Sequence, residues 1–349
     1  MKNVLIVGQG AAGSFLAWEL LKRGQQVTVV DNEHKSSSSM VSAGIINPIT
    51  GKRFAVTEDF DPFFAYALKT YRELEAQFDQ QFFESLDILR VFQDSSEHDH
   101  WKRKVRLNEG QQYSKQTNLP KTFHAAIKDP LGSVVITQSG FCHTARLLTA
   151  LKNYFQDRGI LALQEFCYDD LSIDEGGVHF GGELFETVIF CEGYKAQWNP
   201  WFDWIPYNSV KGEILKIATK EPALPRMIIN KGKWCAPLDG EEWIAGSSYI
   251  WDQLDCEPTD EGHDQIVCGL NQCFSNVIKV IDHKAGVRPV IKDQKAVIGR
   301  HPKHPNLAIF NGLGSKGFLT APLYASHFAD HLSESSPLCS DIAPSRFDN

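Results

Sequence analysis

Val4-Leu5-Ile6-Val7-Gly8-Gln9-Gly10-Ala11-Ala12-Gly13 stands near the start of the chain, and Val27-Thr28-Val29-Val30-Asp31 follows one helix length later. The two apolar runs predict buried strands. The segment 11–23 between them predicts a helix, with Ala17, Leu20 and Leu21 on its apolar side and Gly24 as its C-terminal stop. A strand–helix–strand unit of this kind makes a parallel pair with a right-handed crossover. The glycines fall where a GxGxxG turn needs them. Gly8 makes the tight turn, Gly10 lets backbone approach a pyrophosphate, and Gly13 lets the helix pack close to the sheet. The helix N-terminus at Ala11 and Ala12 then offers free N–H groups to phosphates. Asp31, eighteen residues past Gly13, can accept hydrogen bonds from ribose hydroxyls and repels a 2′-phosphate, which disfavours NADP. Asn32 lies beside it.

Beyond this unit, Ser36–Ser39 predicts a polar loop, and Ala43-Gly44-Ile45-Ile46-Asn47-Pro48 predicts irregular backbone. Apolar steps at Phe64, Leu68, Tyr71, Leu74 and Phe78 predict a helix over 61–84. Segment 95–130 is polar and suits an irregular insertion. A helix is expected at 144–157 and strands at 160–173, 178–180 and Thr187–Phe190. A strand meander is expected over 210–218, 226–230 and 233–250, then a helix at 260–282. The chain closes with a strand Leu307–Phe310, a Gly-rich turn Gly312–Gly317 and a helix from Pro322 to Leu332. This order predicts an α/β fold, in which a Rossmann-like domain (1–79, 134–207 and 287–349) is interrupted by an α+β substrate domain (80–133 and 208–286) with an antiparallel sheet.

Composition narrows the function classes. The 349 residues are 42 % apolar and 22 % charged, ordinary for a two-domain globular chain. A net charge of −8 argues against a nucleic-acid partner, and Lys102-Arg103-Lys104 with Arg106 reads as a solvated basic face. No stretch approaches the roughly 20 apolar residues of a membrane helix. Met1 and Lys2 lead directly into the first strand without a signal-peptide pattern, so a cytoplasmic location is expected. The eight cysteines form no CxxC pair, and neither they nor the histidines have metal-ligand spacing, so no metal is expected.

Five islands carry a family resemblance: residues 3–31; Ser38–Pro48; Ser139–Leu148; Val188–Gly193 with Val210-Lys211-Gly212-Glu213; and Ala285–Pro322. The last reads Ala285-Gly286-Val287-Arg288-Pro289, then Val297-Ile298-Gly299-Arg300, then Gly312-Leu313-Gly314-Ser315-Lys316-Gly317. Together they resemble the D-amino-acid oxidase (DAO) superfamily of flavoproteins, with most similarity to the glycine oxidases and to the FAD domain of MnmC-type tRNA-modifying enzymes. The resemblance implies FAD, held non-covalently, since no cysteine occupies a matching attachment position. It implies cofactor contacts from Gly8, Gly10, Ala11, Ala12, Gly13, Asp31 and Asn32. It adds Ser38, Ser39, Ala43, Gly44 and Ile45 along the pyrophosphate and flavin, Gly193, and the turn of Gly312, Leu313, Gly314, Ser315, Lys316, Gly317 and Phe318. Arg288 takes the GxRP position that binds the substrate carboxylate, through a guanidinium fork suited to two parallel hydrogen bonds. Trp234 and Tyr249 match substrate-facing positions, and Lys316 lies at the flavin edge. Tyr249 and Ser315-Lys316 depart from the glycine oxidase pattern. Trp198, Trp201 and Trp204 read as packing.

The reaction implied is oxidation of the C–N bond of a small amino acid or related carboxylate-bearing amine by hydride transfer to flavin N5, with oxygen or another acceptor taking the electrons on. Two alternatives stand beside it: an MnmC-like enzyme acting on a modified tRNA base, and a flavin-binding protein without turnover.

Overall fold

The computed structural model describes residues 3–33, 37–219, 224–274 and 278–347. Met1, Lys2, Ser36 and the 275–277 part of the expected 260–282 helix lie outside these residues. Strands 4–7 and 27–30 extend to Asn3–Val7 and Gln26–Asp31, joined by the helix Ala11–Lys22. The helix stops at a Schellman-type cap. Gly24, at φ +70°, donates to the Leu21 carbonyl, and Gln25 donates to Leu20.

These strands lie inside a six-stranded sheet. Its order is Leu161–Leu163, Gln26–Asp31, Asn3–Val7, Thr187–Phe190, Leu307–Asn311 and Val297–Arg300. All neighbours are parallel except the last pair. Both faces are buried, which is why the strands read as continuous apolar runs. Val4, Ile6, Val29, Ile189, Ala308 and Phe310 join one core. Leu5, Val7, Val30, Val188, Phe190, Leu307 and Ile309 join another on the opposite face.

The second sheet has eight strands, ordered Ile278–Arg288, Val210–Thr219, Glu242–Gly246, Lys233–Pro237, Ile228–Lys231, Ile88–Val91, Ser133–Ile136 and Ser114–Asn118. It is antiparallel except where Ile228–Lys231 runs parallel to Ile88–Val91. The expected unit boundaries at 133/134 and 286/287 each fall inside one of its strands, Ser133–Ile136 and Ile278–Arg288.

Several local expectations are corrected. Segment 95–130 is ordered: a helix Ser95–Arg106, capped by Asp94, precedes the strand Ser114–Asn118. Only Glu97 and Trp101 of that helix are buried, so no apolar stripe marked it. The 61–84 helix runs from Phe60 to Phe78 and stops at Asp79, which has φ 49°. Glu75 Oε1 then accepts the N–H groups of Phe82 and Phe83, each at 2.8 Å, which turns the chain into the strand Phe83–Ser85. The 260–282 helix ends at Cys273, and 278–288 is strand. Segment 160–173 breaks into two short strands, Leu161–Leu163 and Ser172–Asp174. Ser38–Val41 is a helical turn and Ile45–Ile46 a short strand paired with Gly140–Cys142, where loop was expected.

The closing helix begins at Gly317, five residues before Pro322, which sits inside it. A proline there has no N–H for the carbonyl four residues back, that of Phe318. The buried Tyr71 hydroxyl donates to this carbonyl instead. Tyr71→Phe leaves the carbonyl unsatisfied in the core and is expected to cost about 1–3 kcal/mol. A lowered urea midpoint checks this, and an unchanged midpoint excludes it.

Candidate active site

A cleft of about 650 Å³ crosses the carboxyl ends of the parallel strands, where Val7, Asp31, Cys191 and Asn311 line it, and continues to the large sheet. It spans the end of the Asn3–Val7 strand. There the chain has gone to one side for Gln26–Asp31 and later to the other for Thr187–Phe190. Open α/β sheets bind ligands at such a switch point.

Packing at the Gly-rich turn shows why glycine is needed. Gly8 has φ +103°, and a Cβ on it would stand 2.6 Å from the Cys191 carbonyl oxygen. A Cβ on Gly13 would stand 1.9 Å from the Gly8 carbonyl oxygen. Gly13 therefore lets the helix start against the turn and does not itself line the cleft; Gly8, Gly10, Ala11 and Ala12 do. Ala11 N–H donates to Ser39 Oγ at 3.0 Å, which ties the Ser38–Val41 turn to the helix start. Helix geometry leaves the N–H groups of Ala12 and Gly13 without intrahelical partners. Asp31 accepts from Gln9 N–H at 2.8 Å and from Glu33 N–H at 2.7 Å, so it also holds the turn to the second strand. Each of its oxygens keeps a lone pair for a hydroxyl donor.

Asn32, Ser38, Ser39, Ala43, Gly44, Ile45, Gly193, Leu313, Gly314, Ser315, Lys316, Gly317 and Phe318 also line the cleft. Gly312 does not. It has φ +75° and packs against Ile291, and its N–H donates to Asn311 Oδ1. Asn311 in turn donates to the Gly193 carbonyl at 2.8 Å, which joins the two glycine turns. Nothing about Asn311 in the sequence pointed to this role beyond its place at a strand end.

Arg288, Tyr249, Trp234 and Lys316, from four separate segments, all line this one cleft. Arg288 ends the Ile278–Arg288 strand. Its guanidinium lies 4.8 Å from the Tyr249 ring centroid, and its Nη1 is inaccessible to solvent with no hydrogen-bond partner among the described residues. Burial holds its pKa below the usual arginine value, and burial likewise lowers that of Lys316. Gly212, on the adjacent strand, makes room: a Cβ there would fall 2.0 Å from Arg288 Nη2. Gly246 does the same for the Trp234 ring, at 2.8 Å. Gly212→Ala is expected to push the guanidinium aside without unfolding the chain, since a flexible side chain can yield. Its expected signature is a weakened affinity for carboxylate ligands, by about tenfold or more, at unchanged thermal stability.

Other groups in the cleft gave no sequence signal. Arg90 is tied to buried Glu97 and donates to Asn230 Oδ1 at 3.0 Å. Glu192 accepts from the Tyr168 hydroxyl at 2.6 Å and from Asn199 at 2.8 Å, and burial raises its pKa. Trp198 was expected to pack with Trp201 and Trp204. Those two do pack against a core, whereas Trp198 is 62 % exposed and lines the cleft.

A dinucleotide with a planar redox ring fits these residues. Gly8 and Gly13 leave no room for side chains at the turn, the N–H groups of Ala12 and Gly13 have no intrahelical partners, and Arg288 and Lys316 bring two cationic side chains to the lining. Among the described residues, no helix is long and apolar enough to cross a membrane.

Comparison with known proteins gives the same picture. Glycine oxidase of Pseudomonas putida is 24 % identical over 98 % of this chain and 97 % of its own. The bifunctional MnmC protein of Actinobacillus pleuropneumoniae, named for tRNA 5-methylaminomethyl-2-thiouridine biosynthesis, is 22 % identical over 97 % of this chain but only 57 % of its own. The crystal structure of glycine oxidase from Geobacillus kaustophilus superposes with a TM-score of 0.85 at 19 % identity, covering 99 % of each chain. The model of the DAO family, FAD-dependent oxidoreductases, matches residues 3–331. The chain is a member of the DAO family of FAD-dependent oxidoreductases.

Proposed function

We propose that this oxidoreductase oxidises the C–N bond of a small carboxylate-bearing amine, an amino acid or a close relative. The observation that carries the proposal is Arg288: a partly buried guanidinium whose Nη1 is shut off from solvent with no hydrogen-bond partner among the described residues, in the same cleft as the glycine turn. An unpaired buried cation is costly unless a ligand completes it, and a carboxylate matches its fork in charge and geometry. In this reading the six-stranded sheet and its helices hold the dinucleotide, and the eight-stranded sheet supplies the substrate side. Gly8, Gly10, Ala11 and Ala12 with the Ser38–Ile45 segment would hold the ADP half, and Leu313–Phe318 the flavin end. The FAD is held non-covalently. Cys191, the cysteine that lines the cleft, is buried, and burial pushes its thiol pKa well up, which suppresses thiolate chemistry.

Bound FAD supplies a two-electron acceptor for the hydride on the carbon next to nitrogen. The chain's part is orientation. Arg288 fixes the carboxylate, Trp234 and Tyr249 wall the substrate, and the fixed geometry does much of the catalytic work. The Gly314–Gly317 backbone and the Lys316 side chain would stabilise negative charge at the flavin end. An amine that enters neutral needs no protein base, and the imine product hydrolyses in water.

The test is an anaerobic screen of the FAD-loaded protein with glycine, sarcosine, other amino acids of both hands and modified tRNA. Bleaching of the flavin absorbance by small amines that bear a carboxylate is the expected result. Bleaching by modified tRNA alone would overturn it in favour of a base-modifying enzyme. FAD binding with no bleaching by any amine would leave a flavin protein without turnover.

A further inference from the structure

Trp198, Tyr249 and Trp251 are the exposed aromatic side chains among the described residues, at 62 %, 57 % and 55 % exposure. They are not scattered. Trp198 and Tyr249 both line the cleft, and Trp251 follows Tyr249 by two positions. Tyr194 lines the cleft as well and meets Trp198 edge-on, with ring centroids 5.9 Å apart. The Tyr249 ring lies over the Arg288 guanidinium with more than half of its surface still open.

This rim is held in place. The segment that carries Tyr249 and Trp251 is fastened to the strand beneath it. Lys211, with no exposed surface, pairs with Asp255 at 2.6 Å, and Thr259 Oγ1 donates to buried Glu213 at 2.8 Å. Ser248 Oγ accepts the Glu213 N–H at 3.0 Å. Lys211-Gly212-Glu213 thus anchors the rim with its two charged side chains, while Gly212 between them leaves space for Arg288. Exposed aromatic surface held rigid beside an unpaired cation is arranged to stack a flat group and costs little ordering when it does so.

We infer that the cleft takes a carboxylate ligand that carries a planar ring, with the carboxylate on Arg288 and the ring against Tyr249 and Trp198 at the mouth. The inference rests on the proposed amine oxidation for its reaction, but the binding preference stands apart from it. Neither the glycine turn nor Arg288 requires a ring, and a pocket for glycine alone needs no aromatic rim.

The experiment has a binding arm and a reduction arm, both on the FAD-loaded protein. In the first, 3-phenylpropanoate and 3-cyclohexylpropanoate are titrated and followed by the shift in flavin absorbance. The two acids share length and charge, and the saturated ring is the more apolar. Simple hydrophobic burial therefore favours cyclohexyl, and stacking favours phenyl. Phenyl is expected to bind about tenfold tighter, within the range of one good ring stack. In Trp198→Ala the ratio is expected to fall to about threefold or less. Equal or tighter binding of the cyclohexyl acid, or an unchanged ratio in Trp198→Ala, overturns the inference. In the second arm, N-benzylglycine and N-(cyclohexylmethyl)glycine, which have no stereocentre at the reacting carbon, are compared as reductants. Faster bleaching by the benzyl compound is expected. If neither bleaches the flavin while the phenyl preference holds in the binding arm, the oxidation reading falls and the ring site stands.

Discussion

Arg288→Met is expected to keep its FAD and lose flavin reduction by carboxylate-bearing amines, by about 30- to 5,000-fold. That range corresponds to the roughly 2–5 kcal/mol that removing one member of a buried, hydrogen-bonded charge pair costs. The same substitution is expected to leave the ligand-free protein as stable as the parent, or more so. Nη1 has no hydrogen-bond partner among the described residues, and burial already disfavours the charge. A methionine of similar length removes that penalty and keeps the packing. The combination separates a binding role from a structural one: a structural ion-pair arginine would lower the melting temperature when replaced. Rapid-mixing reduction kinetics with parallel thermal melts provide the check. A parent-like reduction rate would remove Arg288 from the site, and a sharp loss of stability would make it a structural residue. Added phenylpropanoate should raise the melting temperature of the parent and not that of the variant.

Gly13→Val is expected to give a colourless protein with a markedly lower melting temperature. Even the first carbon of a side chain would sit 1.9 Å from the Gly8 carbonyl oxygen and 3.1 Å from Ile6. Backbone on both sides fixes that contact, since Gly8 also donates to the Val30 carbonyl at 2.8 Å. Relief requires the helix start to lift from the sheet, which moves Ala11 and Ala12 away from the cleft. Overpacking of this kind costs about 3 kcal/mol or more. Flavin absorbance per chain after reconstitution, together with a melt, measures both effects. A yellow variant with parent-like stability would show that the close approach is not needed. Gly10→Ala is the useful contrast. Its Cβ would meet the Ser39 side chain at 3.2 Å, a contact that can yield, so any loss of flavin there points to the ligand and not to the fold.

The first strand–helix–strand unit was legible because its chemistry is local. A buried parallel strand needs an apolar run, a tight turn against a helix needs glycines at fixed offsets, and a helix stop needs a left-handed residue at Gly24. Strands and helices elsewhere were legible only where their periodicity stood apart from their neighbours, as at Thr144–Asp157 and Thr187–Phe190. The Ser95–Arg106 helix was hidden because it buries almost nothing. The strand Phe83–Ser85 was hidden because its apolar residues continued the spacing of the preceding helix. The Pro322 start was wrong because the partner that excuses a proline inside a helix, Tyr71, is 251 positions away in sequence.

By itself the sequence determined the α/β class, the dinucleotide turn and, through the DAO resemblance, FAD chemistry, because each rests on residue types at fixed short spacings. Only the tertiary structure decided what shares the cleft. It brought Arg288, Gly212, Trp234, Tyr249 and Lys316 together from distant segments, and it removed Gly13 and Gly312 from the lining. It also moved Trp198 from core to rim. The physical reason is that burial and partnership belong to no single residue. A guanidinium is unpaired, and a tryptophan exposed, only with respect to everything that packs around it.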